Sequence, residues 1–326
     1  MNIYQASNAS MGTDKGKRIL SFILQNFVIF QIMEFGIEPF DFTSYPVKED
    51  VGDADNSARA INAELKKFVY APSKGGETQR AYGFEYDIDE VYLNDLELGN
   101  ITNEALRRRI ENEQIRLAKK VGGDLLTDVF GGDGVSPKIL GFKNMIKDVA
   151  DSSGQSSFLG LTVDQIHASL VQVGLQLSLS DEATLRAYEE TLTREISDMG
   201  GNPVLIMNNY MFARHTAIAK KLNLYGQVET AFGKTIDTFG NTKMIPVPLK
   251  YLPQTESDGT HNDCSSIFLA EYNEVDGLRV ATNSGFKFTD FKELETKPSG
   301  KSRLTFTGNH KIEDMKKLKR LSRIRL

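Results

Sequence analysis

The chain has 326 residues, of which 40% are hydrophobic and 25% are charged. A chain of this length buries most of the surface that it exposes when unfolded, and its composition excludes disordered, collagen-like and disulfide-rich proteins. The formal net charge is −5, from 39 basic and 44 acidic residues, which is atypical of a protein that coats nucleic acid. A single cysteine, Cys264, excludes an internal disulfide and a cysteine-rich metal site.

A polar N-terminal stretch precedes a segment with helical periodicity. Residues 1–17 have few buriable side chains, and we expect them to be loosely held. From Arg18 the apolar residues recur on one helix face, and they are Ile19, Phe22, Ile23, Phe27, Phe30 and Met33. The preceding basic residues suggest a secretory signal, but Gln25, Asn26 and Gln31 interrupt the apolar run. We therefore predict an amphipathic arm that packs on protein. No run of about 18 apolar residues occurs, so we expect no membrane span.

Residues 67–88 predict a β-hairpin. A short strand at 67–72 is followed by a glycine-containing turn at 73–78 and by a strand with a period of two. One face of this hairpin is aromatic and apolar, and its residues are Phe68, Tyr70, Tyr82, Phe84, Tyr86 and Ile88. The other face is acidic. Because an isolated two-stranded hairpin is only marginally stable, the aromatic face needs a partner surface, either in its own domain or on a neighbouring subunit.

Residues 100–129 give the strongest helix prediction, with Thr102 or Asn103 as its N-cap and an apolar stripe along its length. Glycines follow it. Further helices are predicted to begin at Thr162, at Asp181 and after Asn208, and residues 203–207 form a fully apolar strand that we expect at the centre of a sheet. Residues 225–241 look like a loop. The remaining predicted strands are 244–247, 266–272, 278–281, 286–294 and 303–307.

No arrangement of residues typical of an enzyme occurs in the sequence. The glycine-rich stretch at 121–139 matches neither the P-loop nor the dinucleotide-binding pattern. The four histidines are scattered, and His261, Asp263 and Cys264 give only a weak metal-binding pattern. We assign no catalytic, cofactor-binding or metal-binding residue, and we predict that the protein is not an enzyme and needs no cofactor.

The C-terminal tail is basic. The residues that we select there for contact with DNA or with a protein partner are Lys316, Lys317, Lys319, Arg320, Arg323 and Arg325. Residues 34–97 hold 15 acidic and six basic residues. Two regions of opposite charge in one chain favour head-to-tail contact between copies, because heterologous interfaces pair different patches.

The order of these parts resembles the major capsid protein of tailed double-stranded-DNA phages, which has the Hong Kong ninety-seven fold. The resemblance depends on a Gly-Asp-Gly segment, Gly132 to Gly134, followed by Pro137 and the Ile-Leu-Gly-Phe run from Ile139. The Asn-Pro-Val-Leu-Ile-Met-Asn run from Asn202 and the Ile-Pro-Val strand at Ile245 add to it. The order covers nearly the whole chain, although each motif is short.

The resemblance implies an α+β fold with five parts. They are an N-terminal arm at 1–43, an extended hairpin loop at 44–98, a peripheral domain with a long spine helix at 99–160, an axial α/β domain at 161–281, and return strands of the peripheral domain with the basic tail at 282–326. It further implies that the aromatic hairpin residues and, in the arm, Phe22, Phe27 and Phe30 contact neighbouring subunits.

The function that follows from the resemblance is a structural one. We expect a virion protein that self-assembles in the host cytoplasm into hexamers and pentamers of an icosahedral head. This head encloses double-stranded DNA without reading its sequence, and separate scaffolding, portal or decoration proteins act with it. Two alternatives stay open. An encapsulin-like shell would enclose an enzyme cargo, and an α/β enzyme would have a pocket that the sequence does not identify.

Overall fold

The computed structural model describes residues 3–8, 14–44, 75–89, 104–135, 137–148, 163–167, 169–229, 235–294 and 297–325. Its helices are α1 Ile3–Asn8, α2 Asp14–Asn26, α3 Ile29–Ile32, α4 Glu104–Gly131, α5 Phe142–Met145, α6 Val163–His167, α7 Glu182–Met199 and α8 Asn209–Lys221. Its strands are β1 Phe35–Ile37, β2 Asp41–Ser44, β3 Gly75–Thr78, β4 Arg80–Asp89, β5 Leu170–Gln172, β6 Val204–Asn208, β7 Tyr225–Glu229, β8 Thr235–Phe239, β9 Thr242–Val247, β10 Ser265–Ala270, β11 Leu278–Thr282, β12 Phe286–Leu294, β13 Lys297–Ile312 and β14 Leu318–Ile324. No helix in these ranges is long and apolar enough to cross a membrane.

A seven-stranded mixed sheet in the order β5-β14-β10-β6-β9-β8-β7 carries helices α7 and α8 on one face. The central strand β6 is fully buried and pairs with β10 and β9, as its apolar sequence predicts. Its side chains alternate between two cores. Val204 and Ile206 face the core shared with the long helix, whereas Leu205 and Met207 face α7 and α8. The sheet is therefore covered on both sides by its own chain.

A five-stranded sheet is built around the long strand β13. Strand β4 pairs antiparallel with β13 on one side, from Arg80 with Gly308 to Asp89 with Ser299. Strands β11 and β12 pair with successive parts of β13, and β1 adds to β11 in parallel. The sheet thus joins segments that lie more than 200 residues apart in the sequence, which no local pattern reveals.

The long helix α4 continues through Gly122 and Gly123, and its 28 residues extend for about 42 Å. At each of these glycines an aromatic side chain from elsewhere in the chain approaches the helix closely. A Cβ atom at Gly122 would lie 2.5 Å from the Phe27 ring, and one at Gly123 would lie 2.9 Å from the Tyr251 hydroxyl. The pair of glycines therefore allows the N-terminal helices and the loop at Tyr251 to pack against the helix backbone.

Ser44 and Gly75, the described residues on either side of the segment 45–74, are register partners in the β2–β3 ladder. Next to this ladder, the buried side chain of Gln79 joins three segments of the chain by hydrogen bonds. Its amide donates hydrogen bonds to the Glu38 and Pro39 carbonyls at 3.0 and 2.8 Å, and its oxygen accepts one from Asn283 N–H at 3.0 Å. The two ends of the segment 45–74 are consequently fixed side by side.

The structure differs from the sequence-based expectations in several strands and in their pairing. Residues 75–78 are strand β3 and pair with β2, whereas the sequence predicted a turn. Strand β4 pairs with β13 on one side. Its predicted hairpin partner at 67–72, with Phe68 and Tyr70, lies outside the described residues, so that pairing stays a prediction. Within the predicted loop at 225–241, Tyr225–Glu229 and Thr235–Phe239 form the β7–β8 ladder. The tail residues 318–324 are a strand inside the seven-stranded sheet, apart from the return strands with which the sequence grouped them.

The close packing of Phe27 on α4 predicts the effect of a methyl group at Gly122. In Gly122→Ala, the higher helix propensity of alanine gains about 1 kcal/mol, but the clash with a ring buried in the core costs about 1–3 kcal/mol. We expect a lower free energy of unfolding in urea titrations, together with faster proteolysis of the N-terminal helices. Gly131→Ala is the matched control, because nothing lies within 4 Å of a Cβ atom there. Equal stability of the two variants would contradict this packing.

Candidate functional site

Strand β4 turns its aromatic side chains toward the long helix of its own chain. The Tyr82 hydroxyl donates a hydrogen bond to Asp128 Oδ2 at 2.9 Å and accepts one from Ile139 N–H at 3.1 Å. Burial raises the pKa of Tyr82, so the hydroxyl stays protonated and can donate. The Tyr82 hydroxyl therefore anchors β4 to the long helix and to Ile139 of its own chain.

Phe84 differs from Tyr82 because the long helix leaves much of its ring uncovered. The side chain is 41% exposed, and the Lys120 ammonium lies 5.4 Å from the ring centroid. Further along the strand, Tyr86 is half-buried, and the side chain of Ile88 lies outside the described set. Among the hairpin residues whose side chains the structure describes, Phe84 is thus the large apolar one that is free to meet another molecule.

The N-terminal helices pack against the rest of their own chain. Phe27 and Phe30 are buried, with Phe27 against Gly122 and Tyr251, and Phe30 against the Phe286 ring. The expectation that these two side chains contact a neighbour is therefore wrong, because the long helix and the five-stranded sheet already cover them. Phe22 is partly buried, and the Lys119 ammonium lies 5.5 Å from its ring centroid.

Four of the six basic tail residues pair with carboxylates of their own chain. Lys317 binds Glu271 at 2.8 Å, Lys319 binds Glu195 at 2.8 Å and Asp198, and Arg320 binds Glu256 at 2.9 Å. Arg323 binds Asp148 in a bidentate manner, and Arg325 contacts Gln176 and His261. Lys316 is half-buried in the turn before the strand. The side chains of Lys317, Lys319, Arg320 and Arg323 are therefore engaged within their own chain, and contact of the tail with DNA or a partner stays a prediction.

The Gly-Asp-Gly segment forms a tight reversal at the end of α4. A Cβ atom at Gly132 would lie 2.1 Å from the Ile139 carbonyl oxygen, and one at Gly141 would lie 2.5 Å from the Asp128 carbonyl oxygen. The Gly141 N–H donates to the Gly132 carbonyl at 2.9 Å, and Asn144 Nδ2 donates to the same carbonyl at 2.8 Å. Glycine is required at both positions because two backbone segments touch there.

The buried histidines have structural surroundings. His310 Nδ1 donates to the Leu140 carbonyl at 3.0 Å, and its ring packs on Phe142 with centroids 5.0 Å apart. Its Nε2 has no hydrogen-bond partner among the described residues. His215 Nε2 lies 2.9 Å from the Tyr188 hydroxyl between α7 and α8. No group of three or more histidine, cysteine, aspartate or glutamate residues in the described ranges could hold a metal ion.

Comparison with solved structures decides the fold. The capsid of a native GTA particle aligns over 93% of this chain and 90% of its own, with 14% identity and a TM-score of 0.55. The holo-SrpI encapsulin complex from Synechococcus elongatus aligns over 91% and 87%, with 12% identity and a TM-score of 0.54. The capsid of an empty GTA particle aligns over 90% and 88%, with 14% identity and a TM-score of 0.53. No family model and no curated protein matches the sequence.

The chain has the Hong Kong ninety-seven capsid fold. The α+β fold class and the resemblance that the order of parts suggested are thereby confirmed at the level of fold. The sequence did not predict that the Gln79 side chain joins β3 and β4 to residues 38, 39 and 283, or that the Tyr82 hydroxyl joins β4 to the long helix. Gln79 lies in the polar run from Glu77 to Arg80, and nothing in that run distinguishes it from its neighbours.

The position of His310 predicts a dependence of stability on acid. Burial lowers the pKa of His310 from 6.5 to about 4, so the unfolded chain binds a proton between these pH values that the folded chain does not. Its contribution is complete above pH 6.5 and is lost as the pH falls toward 4, by up to about 3 kcal/mol. His215 behaves in the same way, because burial also lowers its pKa to about 4.

In urea titrations between pH 7 and pH 4.5, we expect His310→Gln to lose less stability than the unsubstituted chain. The double variant with His215→Gln should lose less again. If the stability of all three chains fell equally with pH, these histidines would not be the groups that titrate.

Proposed function

We propose that this chain is a structural subunit that assembles with identical copies into an icosahedral phage head enclosing double-stranded DNA. The observation that carries this proposal is the capsid fold, which extends over about nine-tenths of the chain in both the GTA capsid and the encapsulin. The subunit would have no catalytic role. In the phage head it would form hexamers and pentamers in the virion, and assembly would take place in the host cytoplasm.

The segment 45–74 and the exposed side of β4 are the parts that we propose reach a neighbour. They belong to the region in which acidic residues outnumber basic ones. The ladder between Asp41–Ser44 and Gly75–Thr78 fixes both ends of the segment at one place on the subunit. Phe84, close to this place in the sequence, presents an uncovered ring. Proposed contacts to a neighbour are Phe68, Tyr70, Phe84, Tyr86 and Ile88, with Phe22 from the arm.

Apolar burial is the term that would hold such a shell together. Each 1,000 Å² of apolar surface removed from water contributes about 25 kcal/mol before the entropy of association is subtracted. Because every subunit makes the same contacts many times, weak individual interfaces add up to a stable particle. We further propose that scaffolding, portal or decoration functions belong to separate chains.

An encapsulin-like shell with an enzyme cargo is the second candidate. The specific observation for it is the SrpI encapsulin, whose TM-score of 0.54 is almost the same as the 0.55 of the GTA capsid. Both candidates require assembly and differ in contents, since a phage head encloses DNA and an encapsulin encloses protein.

Expression of the full chain followed by size-exclusion chromatography and negative-stain microscopy tests assembly. We expect hollow particles or rings of subunits. Particles isolated from the native source should then contain DNA that resists nuclease, whereas a co-purifying enzyme without DNA would favour the encapsulin. A chain that stays monomeric at high concentration would overturn both candidates.

Phe84→Asp tests whether the uncovered ring is an intersubunit contact. The side chain is 41% exposed and lies beside Lys120, so an aspartate there should leave the fold intact. We expect circular dichroism and thermal unfolding close to those of the unsubstituted chain, but few or no closed particles. Val275→Asp is the matched control, because this apolar residue is 84% exposed in a turn distant in sequence from β4. Normal particles from Phe84→Asp would show that the ring is not an intersubunit contact.

A further inference from the structure

Two successive lysines of the long helix each lie against an aromatic ring from another part of the chain. The Lys119 ammonium is 5.5 Å from the centroid of the Phe22 ring, which belongs to α2. The Lys120 ammonium is 5.4 Å from the centroid of the Phe84 ring, which belongs to β4. Both rings are among the proposed contacts to a neighbouring copy, so the two lysines lie where that copy would dock.

The position of the Lys120 ammonium is set by a second contact. It binds Asp124 Oδ1 at 2.9 Å, about one turn further along the helix. The side chain of Lys120 is 58% exposed, and a lysine in such a place lays its methylene stem along apolar surface and keeps its charge in water. The Phe84 ring is 41% exposed. A hydrated positive charge therefore borders the open part of this ring.

This charge affects which surfaces can cover the ring. A neighbour that covered Phe84 with apolar groups alone would also take water from the Lys120 ammonium, and the loss of that hydration is costly. Asp124 replaces only part of it, because an ammonium has three hydrogen-bond donors. A neighbour that adds a carboxylate to its apolar surface replaces the lost water with an ion pair. The lysine therefore disfavours indiscriminate apolar association and favours a partner that is both apolar and acidic.

The chain contains a region of this kind. Residues 34–97 hold 15 acidic and six basic residues, together with the aromatic residues of β4. Among the ion pairs that the structure describes, three cations from outside the region bind Glu38 and Glu85 and offset part of the acidic excess. The region as a whole stays acidic. Identical copies therefore carry both halves of a contact, and a head-to-tail arrangement brings two different patches together.

We propose that Lys119 and Lys120 determine the specificity of the assembly contact, by admitting the acidic region of a second copy onto Phe22 and Phe84. The inference rests on the proposed function, since it names the partner of rings already assigned to that contact. Salt separates the two contributions, because it screens the attraction between lysine and carboxylate and leaves apolar burial in place.

The test is the threshold concentration at which the full chain forms particles, measured by light scattering at about 0.05 M and about 0.5 M NaCl. The variant is Lys120→Met, because methionine keeps an unbranched stem beside the ring and removes the charge. We expect salt to raise the threshold of the unsubstituted chain about threefold more than that of Lys120→Met, which is the effect of one exposed ion pair. Negative-stain images of Lys120→Met should show more irregular aggregates among the closed particles.

Lys138→Met is the matched control. The side chain of Lys138 is 52% exposed, close to the 58% of Lys120, and it also pairs with an aspartate, Asp133 at 3.9 Å, but it lies over no ring among the described residues. Its threshold should respond to salt as that of the unsubstituted chain does. Lys120→Arg keeps the charge and should behave in the same way. Circular dichroism and thermal unfolding check that each variant is folded.

The outcomes separate this inference from the proposed function. If the unsubstituted chain forms particles but its threshold responds to salt as that of Lys120→Met does, the inference is wrong and the proposed function stands. The same holds if Lys138→Met loses the salt response as fully as Lys120→Met. If no particles form at any concentration or salt, the proposed function fails and the inference fails with it.

Discussion

One continuous stretch of chain, from β13 through β14, belongs to both sheets and fixes their relation. Buried backbone N–H and C=O groups must find partners, and β13 finds them in β4 on one side and in β11 and β12 on the other. After the short turn Met315–Lys317 the same chain enters the seven-stranded sheet between β10 and β5. The rest of the subunit is arranged around this shared strand, with the long helix packed in the core beside it.

Placing a strand rich in lysine and arginine inside a sheet has an electrostatic cost, and the structure offsets it with matched carboxylates. Lys319 and Arg320 are each less than 5% exposed, and each contacts at least one acidic side chain. An unpaired charge at such depth would cost several kcal/mol. The acidic side chains come from α7 and from the loop at Glu256, so these ion pairs also join the strand to the elements around it.

The N-terminal helices and strand β4 differ in how far the chain covers their apolar side chains. The apolar side chains of the N-terminal helices are covered by α4 and by the five-stranded sheet, whereas the ring of Phe84 is covered only in part by Lys120. In the proposed shell, this difference separates the contacts that fold the subunit from those that join it to a neighbour. Tyr82 lies only two residues before Phe84, yet its hydroxyl is bound within the chain, to Asp128 of the long helix and to Ile139 after the Gly-Asp-Gly segment.

The sequence alone determined those elements whose signal is local. The periodicity of the long helix, the alternation along β4 and the fully apolar strand β6 all appear where their patterns predict them, and the order of these parts already pointed to the capsid fold. Only the tertiary structure decided which partner each element has. It placed the basic tail beside carboxylates, β4 beside β13 and Phe27 against Gly122, because a residue's charge or polarity states what kind of partner it needs but not which distant segment supplies it.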